Sequence, residues 1–295
     1  MTRLADIQAH VAGMQELSQI IGSMRAVANL RVQEALGALS SVRQYGAAMR
    51  EALGQALSLT GAAQERRGGR PPEPAGAAAG RIVIVCTSEL GFVGAFNEPL
   101  IEQAAQALTA ADRLFILGSR GTAWAHERRL PVYWSRPMAA HLAGVPRAVQ
   151  TLVEAVYGLI AHGRAGAAEV IYAGCRRGSA PVLTRRRLFP LQEAAAGPAP
   201  ANPPLHYLPT PLLLERLTEA YIFALLTEAV TESIASENNA RFLAMQAAHD
   251  NAARRLGELR QALALARQDE ITTELLDLVT GAMALAPRRL PARQD

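Results

Sequence analysis

Between Pro211 and Pro287 the chain contains no proline, and its only glycines there are Gly257 and Gly281. The remaining positions are dominated by Ala, Leu, Glu, Gln and Arg, which lose little side-chain freedom on entering a helix. One continuous helix is expected from Pro211 to Ala286, roughly 110 Å long at 1.5 Å per residue. Propensity alone does not hold so long a helix in water, so it needs a packing partner.

The other end of the sequence offers that partner. Apolar or small residues recur at every seventh position as Ile7, Met14, Ile21, Ala28, Ala35, Val42 and Met49, and an offset register supplies Leu4, Val11, Val32, Leu39 and Leu53. Such a seam, sustained past three or four heptads, is the signature of a coiled coil. Ser18 and Arg25 break the offset register, either as register markers or as contacts to something outside the pair. This first helix spans residues 1–59, fades near Leu59 and is about 80 Å long. A globular insert between two terminal helices returns the chain to where it left, so the helices pair antiparallel. Aligned at the insert, the last helix outruns the first by about 30 Å. Its tip carries apolar residues on every side, namely Leu263, Leu265, Ile271, Leu275, Leu276, Leu278, Val279, Met283 and Leu285. A helix that is hydrophobic all round has to be enclosed, and the chain has too little other material to do it.

Between the helices the texture changes. Residues 60–80 include QERRGGRPPEPAGAAAG, a linker by its Pro, Gly and charge content. Short β-branched runs then alternate with helical stretches: strands at 81–86, 113–118, 131–135 and 169–174, and helices at 98–110, 119–129 and 145–162. An edge strand or hairpin arm follows at 181–191. Strands alternating with helices imply parallel pairing through right-handed crossovers. The expected fold class is therefore α/β: a long antiparallel two-helix coiled coil from the N- and C-termini with an inserted Rossmann-like domain over 81–191. A second linker covers 192–210, the last helix 211–286, and a basic tail 287–295, LAPRRLPARQD closing the chain from Leu285.

Composition narrows the chemistry. The 295 residues include no lysine, so all 30 cationic side chains are arginine. That excludes a P-loop lysine and a Schiff-base lysine. The net charge of +4 admits an acidic or nucleic-acid partner, although scattered arginines also suit a solvated surface. Cys86 and Cys175 lie in strand-like runs and read as buried free thiols in a reducing, cytoplasmic setting. No run of eighteen apolar residues and no charged leader with an apolar segment is present, so neither a membrane span nor a signal peptide is expected.

Candidate sites are few. The turn Glu89-Leu90-Gly91-Phe92-Val93-Gly94-Ala95-Phe96-Asn97 follows a strand and opens a helix, the place for a dinucleotide in this architecture. It lacks the third glycine of the fingerprint, and no acidic residue ends the second strand. The histidines at 10, 126, 141, 162, 206 and 249 show no metal-ligand spacing. No nucleophile signature is visible. Arg185, Arg186 and Arg187 form a basic cluster whose reading as a charged edge strand outweighs nucleic-acid binding. No catalytic, cofactor or metal residue is expected.

The opening Leu4 to Met49, with IGSMRAVANLRVQEA, resembles the N-terminal helix of the gamma subunit of F-type ATP synthases. The closing SENNARFLAMQAAHDNA and ARQDEITTELLDLVTGAMAL resemble that family's C-terminal helix. The match runs through Ser236, Glu237, Ala240, Arg241, Ala244, Met245, Ala248, Asp250, Asn251, Ala252, Arg267, Gln268, Ile271, Thr272, Glu274, Leu275, Val279, Gly281 and Ala282. The turn after the first strand matches the family's DRGLCGGLN, with Gly91, Gly94 and Asn97 retained. Leu90 stands where the family has arginine and Val93 where it has cysteine, which puts any polar contact by that arginine in doubt.

The resemblance implies a non-catalytic rotor shaft that couples ion flow through a membrane c-ring to ATP synthesis or hydrolysis on beta subunits. The implied partners are the alpha and beta subunits, the epsilon subunit and the c-ring, with no nucleic acid and no direct membrane insertion. The location would be peripheral, on the cytoplasmic side of the bacterial plasma membrane. It also implies contacts to the alpha/beta ring by Met24, Arg241, Gln268 and Thr272, and a foot on the c-ring near His206 and Tyr207. The basic tail, the altered turn and a shortened linker hint at an alternate or duplicated complex, with the tail projecting past the sleeve as a brake. The rival readings are a coiled-coil scaffold or basic nucleic-acid-binding module on the same frame, and a small-molecule enzyme on the α/β domain.

Overall fold

A computed structural model describes residues 2–65, 80–175, 179, 181–191 and 205–285. The linker stretches 66–79 and 192–204 and the basic tail 287–295 lie outside the described residues. Helix α1 runs over Thr2–Glu65 and helix α5 over Thr210–Leu285. The first helix continues past the expected stop at Leu59, because the residues after it, Thr60 to Glu65, include no proline and only one glycine. Between the two helices come β1 (Arg81–Cys86), α2 (Asn97–Ala107), β2 (Arg113–Leu117), α3 (Ser119–Glu127), β3 (Val132–Arg136), a 3-10 turn (Leu142–Gly144), α4 (Val145–Ala161), β4 (Ala167–Gly174) and β5 (Val182–Phe189).

The chain divides into two compact units. The parts of α1 before Arg25 and of α5 after Ala244 form one, and Arg25–Ala244 the other. In the first unit, Ile21, Met245 and Ala252 are buried together, with Met14, Met24 and Ala248 packed against them. Nearer the start of α1, Leu4 and Ile7 line a groove of about 500 Å³ with Leu265 and Ala266. Low numbers on α1 thus meet high numbers on α5, which makes this pairing antiparallel. From the far edge of that groove onward, every side chain from Ile271 to Thr280 is exposed.

In the second unit, five strands form one sheet in the order β3-β2-β1-β4-β5. The first four are mutually parallel, and β5 closes one edge antiparallel to β4. Side chains alternate across a strand, and β1 shows it: Ile82, Ile84 and Cys86 enter one core while Val83 and Val85 enter the other. Both faces are covered, which is why β1, β2 and β4 read as nearly unbroken apolar runs. On one face lie α2 and α3, through Leu100, Ile101, Ala104 and Ala125. On the other lie α4, through Val149, Leu152, Val153 and Val156, and the local segments of α1 and α5, through Ala35, Leu53, Tyr221 and Leu225.

The heptad seam of α1 is visible in its burial. Ala28, Val32, Ala35, Leu39, Leu53 and Ala56 are buried, while Ser18 and Arg25 are half-buried within the same stripe. Arg43 leaves the stripe to pair with Glu228 at 2.9 Å and with Glu232, both on α5. The two helices pass close at Gly46, where an added Cβ would meet that of Ala224 at 3.8 Å, an ordinary van der Waals contact. On the edge strand, Arg185 pairs with Glu169 at 2.7 Å and Arg186 with Glu228 at 2.7 Å. Two of the three cations in the basic cluster are therefore held by carboxylates of the same chain, which weakens the nucleic-acid reading.

Candidate functional site

The crevice beyond the carboxyl ends of β1 and β4 is where strand order reverses, the usual ligand position in a doubly wound sheet. Here α5 fills it. Ser233 Oγ donates to the carbonyl of Cys86 and Ser236 Oγ to that of Gly174, both at 3.4 Å, so one helix face touches the ends of both strands. Asn239 donates to the Ser179 carbonyl at 2.8 Å. Thr231, Ser233, Ser236, Glu237, Asn238, Asn239 and Arg241 are all buried. Unpaired polar groups at such depth are costly, so this polar run exists to meet main-chain groups. The chain's own helix therefore stands at the switch point where a dinucleotide would lie, which weakens the nucleotide-binding reading of the Glu89–Asn97 turn.

That turn is held from several directions. At its base, Asn97 accepts the Ser88 N–H at 2.9 Å and donates to Ser88 Oγ at 2.8 Å. Glu89 accepts the N–H of Ser119 at the start of α3, the Ser119 hydroxyl and the N–H of Met138. Arg241 reaches the turn from α5, donating to the carbonyls of Gly91 at 3.2 Å and Leu90 at 3.3 Å. It also donates to Glu237 at 2.6 Å and Asn238 at 2.9 Å. Burial pushes the Glu237 carboxyl upward, opposed by the Arg241 guanidinium and by hydrogen bonds from the backbone of Glu89 and Leu90. The turn's φ values are positive at Phe92 (61°) and Gly94 (58°). Beside it an apolar groove of about 430 Å³ is lined by Val93, Phe96, Pro99, Leu183 and Leu243, among others.

The expected partner contacts fall into distinct surroundings. Arg241 is buried, and four of its five N–H groups are used inside the chain. Met24 is half-buried, packed against the seam of Ile21, Met245 and Ala252. Gln268 and Thr272 are exposed, one turn apart, with the Thr272 hydroxyl donating to the Gln268 carbonyl at 2.8 Å. His206 and Tyr207 precede α5 and are exposed, with His206 Nδ1 2.8 Å from the Leu208 carbonyl. Burial drives the Cys86 thiol up to about 12 and raises that of half-buried Cys175, so both rest as thiols. Among the described residues no group of three or more His, Cys, Asp or Glu could hold a metal, and no helix is long and apolar enough to cross a membrane.

The end of α5 exposes a run of large apolar side chains. Ile271 is 58 % exposed, Leu275 57 %, Leu276 62 %, Leu278 70 % and Val279 50 %. Monomeric proteins rarely leave so contiguous a surface to water, and such patches mark interaction sites. The profile of the family described as ATP synthase matches residues 3–285, nearly the whole sequence. The chain belongs to the ATP synthase family. It is similar to the ATP synthase gamma chain of Prosthecochloris aestuarii, 28 % identical over 304 residues that span 97 % of this chain and 99 % of that one. It is also similar to the ATP synthase gamma chain of Symbiobacterium thermophilum, 26 % identical over 284 residues and covering 95 % and 97 % of the two chains. Two solved structures share the fold. One is a chain of the Euglena gracilis mitochondrial ATP synthase in rotational state 3, with a TM-score of 0.64, 12 % identity, and 100 % of this chain and 98 % of that one covered. The other belongs to the central stalk and c-ring of the Tetrahymena thermophila enzyme, with a TM-score of 0.56, 15 % identity, and 78 % and 99 % covered.

Sequence reasoning missed the buried role of Ser233, Ser236, Asn238 and Asn239. A clue was present in the run TESIASENNAR, where polar residues occupy every face of a helix for three turns. A helix that is polar all round needs a polar environment on the side it packs.

Proposed function

We propose that this chain is the gamma subunit of an F-type ATP synthase: a non-catalytic shaft that couples ion flow through a c-ring to nucleotide turnover on beta subunits. The observation that carries this reading is the uncovered apolar end of α5 from Ile271 to Thr280, which extends past the start of α1. A sleeve of other subunits would enclose it, and small or apolar contacts let the helix slide as it turns. Gln268 and Thr272, exposed at the border of that segment, are the directional contacts to the alpha and beta subunits, and Met24 adds an apolar one from α1. Because the shaft is asymmetric, each rotor angle favours a different conformation in each neighbour, a mechanical form of population shift.

The exposed His206 and Tyr207 at the foot of α5 are the proposed contacts to the c-ring, and the epsilon subunit binds the α/β domain. The chain acts on the cytoplasmic side of the bacterial plasma membrane, as a peripheral part of the complex. The test is co-purification of the tagged chain from native membranes. Recovery of stoichiometric alpha and beta subunits is expected, and their absence from every preparation would overturn the reading. In the recovered complex, Gln268→Ala and Thr272→Ala should lower coupled ATPase activity without loss of assembly.

A further inference from the structure

The end of α5 carries its charge unevenly. From Arg267 to Thr280 there are four carboxylates, Asp269, Glu270, Glu274 and Asp277, and a single arginine. Glu270, Glu274 and Asp277 recur at i, i+4 and i+7, so they share one face of the helix. Glu270 is half-buried and the other two are exposed, and like charges at that spacing repel. The next position on the face is Gly281, which carries no side chain to bar a chain segment from lying along it. The last turn of the helix holds no basic residue to meet the negative end of its dipole. The residues that follow invert the balance: PRRLPARQD, residues 287–295, holds Arg288, Arg289 and Arg293 against one carboxylate. Pro287 lacks the N–H that a continuing helix needs. Nine residues in extended form span about 30 Å, whereas Glu270 lies roughly 22 Å back along the helix from Leu285. The segment is long enough to reverse and reach that face.

We propose that residues 287–295 turn back along α5 and set their arginines on the face of Glu270, Glu274 and Asp277, as a cover that a surrounding sleeve of subunits displaces on assembly. The displacement rests on the rotor-shaft reading above, and the folding back does not. Tethering favours the contact, because a short connection presents the arginines to the carboxylates at an effective concentration in the millimolar range. Arginine suits it because its planar fork takes both oxygens of a carboxylate. Exposed ion pairs are individually weak and are screened by salt. Three of them make a contact that forms in the free chain and yields to a sleeve that buries the apolar side chains beside it.

The absence of lysine makes the contact directly readable. In the full-length Arg293→Lys chain the introduced amine is the one side-chain amine that a carbodiimide can join to a carboxylate, and peptide mass mapping identifies which carboxylate it joins. Joining to Glu270, Glu274 or Asp277 of the same chain is expected. Its yield should fall at least about threefold from about 10 mM to 1 M salt, as the screening length shrinks from about 30 Å to 3 Å. The same chain assembled with alpha and beta subunits should give no such product. Truncation after Ala286, and Arg288→Gln with Arg289→Gln and Arg293→Gln, should each lower the chain concentration that half-restores ATPase activity to alpha and beta subunits by about threefold to tenfold, since the covered fraction no longer competes. Joining to Asp295 alone or to carboxylates elsewhere would overturn the folding back. So would products confined to chain dimers, which would mark a second copy as the occupant. A product retained in the complex, or an unchanged half-restoring concentration in both altered chains, would overturn the displacement. If the unaltered chain brings down no alpha or beta subunit, the rotor reading fails, while the cross-link in the free chain still decides the folding back.

Discussion

Replacing Leu275, Leu276 and Leu278 by serine together separates folding from assembly. These side chains sit 57 %, 62 % and 70 % exposed, so together they leave about two leucines' worth of surface still to be buried. Full burial of a leucine is worth roughly 1.5–3 kcal/mol, and a sleeve that covers them would gain about 3–6 kcal/mol. Serine forfeits most of that, equivalent to a loss of affinity between about a hundredfold and ten-thousandfold. The free chain, which leaves most of these groups in water, should keep its stability to within about 1.5 kcal/mol, at most about 0.5 kcal/mol for each of three surface changes. Two measurements decide: denaturant unfolding of the purified chain, and the chain concentration needed to restore ATPase activity to alpha and beta subunits. Wild-type assembly by the triple variant would refute the enclosure of the tip. A fall in the chain's own stability by several kcal/mol would show that the tip is packed within the chain.

Other consequences follow from single contacts. Asp112 accepts the N–H of Arg81 and Thr109 and pairs with the Arg81 guanidinium at 2.9 Å. Although burial opposes it, these bonds hold its carboxyl down at about 2, from an ordinary 3.8. Because the folded value is the lower, the stabilisation is full above about pH 4 and is lost as pH falls through about 2. Asp112→Asn should cost of order 2 kcal/mol at pH 7 and nothing below about pH 2, read from urea curves across pH. Leu53 is 1 % exposed among α1, α5 and the sheet, and Leu53→Ala should cost about 2–5 kcal/mol in the same unfolding assay. At Gly80 a Cβ would lie 1.8 Å from the Ala111 carbonyl oxygen, a main-chain atom that cannot rotate aside. Gly80→Ala should therefore cost about 1–3 kcal/mol by displacing the start of β1, and an unchanged midpoint would refute that clash. Equilibrium dialysis of the chain with ATP or NAD should show no binding at the Glu89–Asn97 turn, because α5 occupies the crevice.

Local pattern carried the elements. The proline-free run from Pro211, the heptads beginning at Leu4 and the β-branched runs at Ile82, Phe115 and Val170 each specify an element by periodicity, which depends only on neighbours in the chain. Even the bare end of α5 was legible, because apolar residues around a whole helix circumference need no knowledge of the fold to be noticed. What periodicity cannot say is which groups meet across long separations. Arg241 has the same sequence signature whether its guanidinium faces another subunit or the carbonyls of Leu90 and Gly91, some 150 residues earlier.

The sequence by itself therefore determined two long helices, an alternating insert and an apolar tip, since each follows from short-range spacing and side-chain chemistry. Only the tertiary structure decided that α5 fills the crevice at the ends of β1 and β4, that β5 runs antiparallel, and that Glu237 and Arg241 grip a turn. Those outcomes depend on which buried main-chain groups lack partners once the sheet has formed, and a polar side chain far away in sequence is drawn to them because leaving them unpaired costs more than burying it.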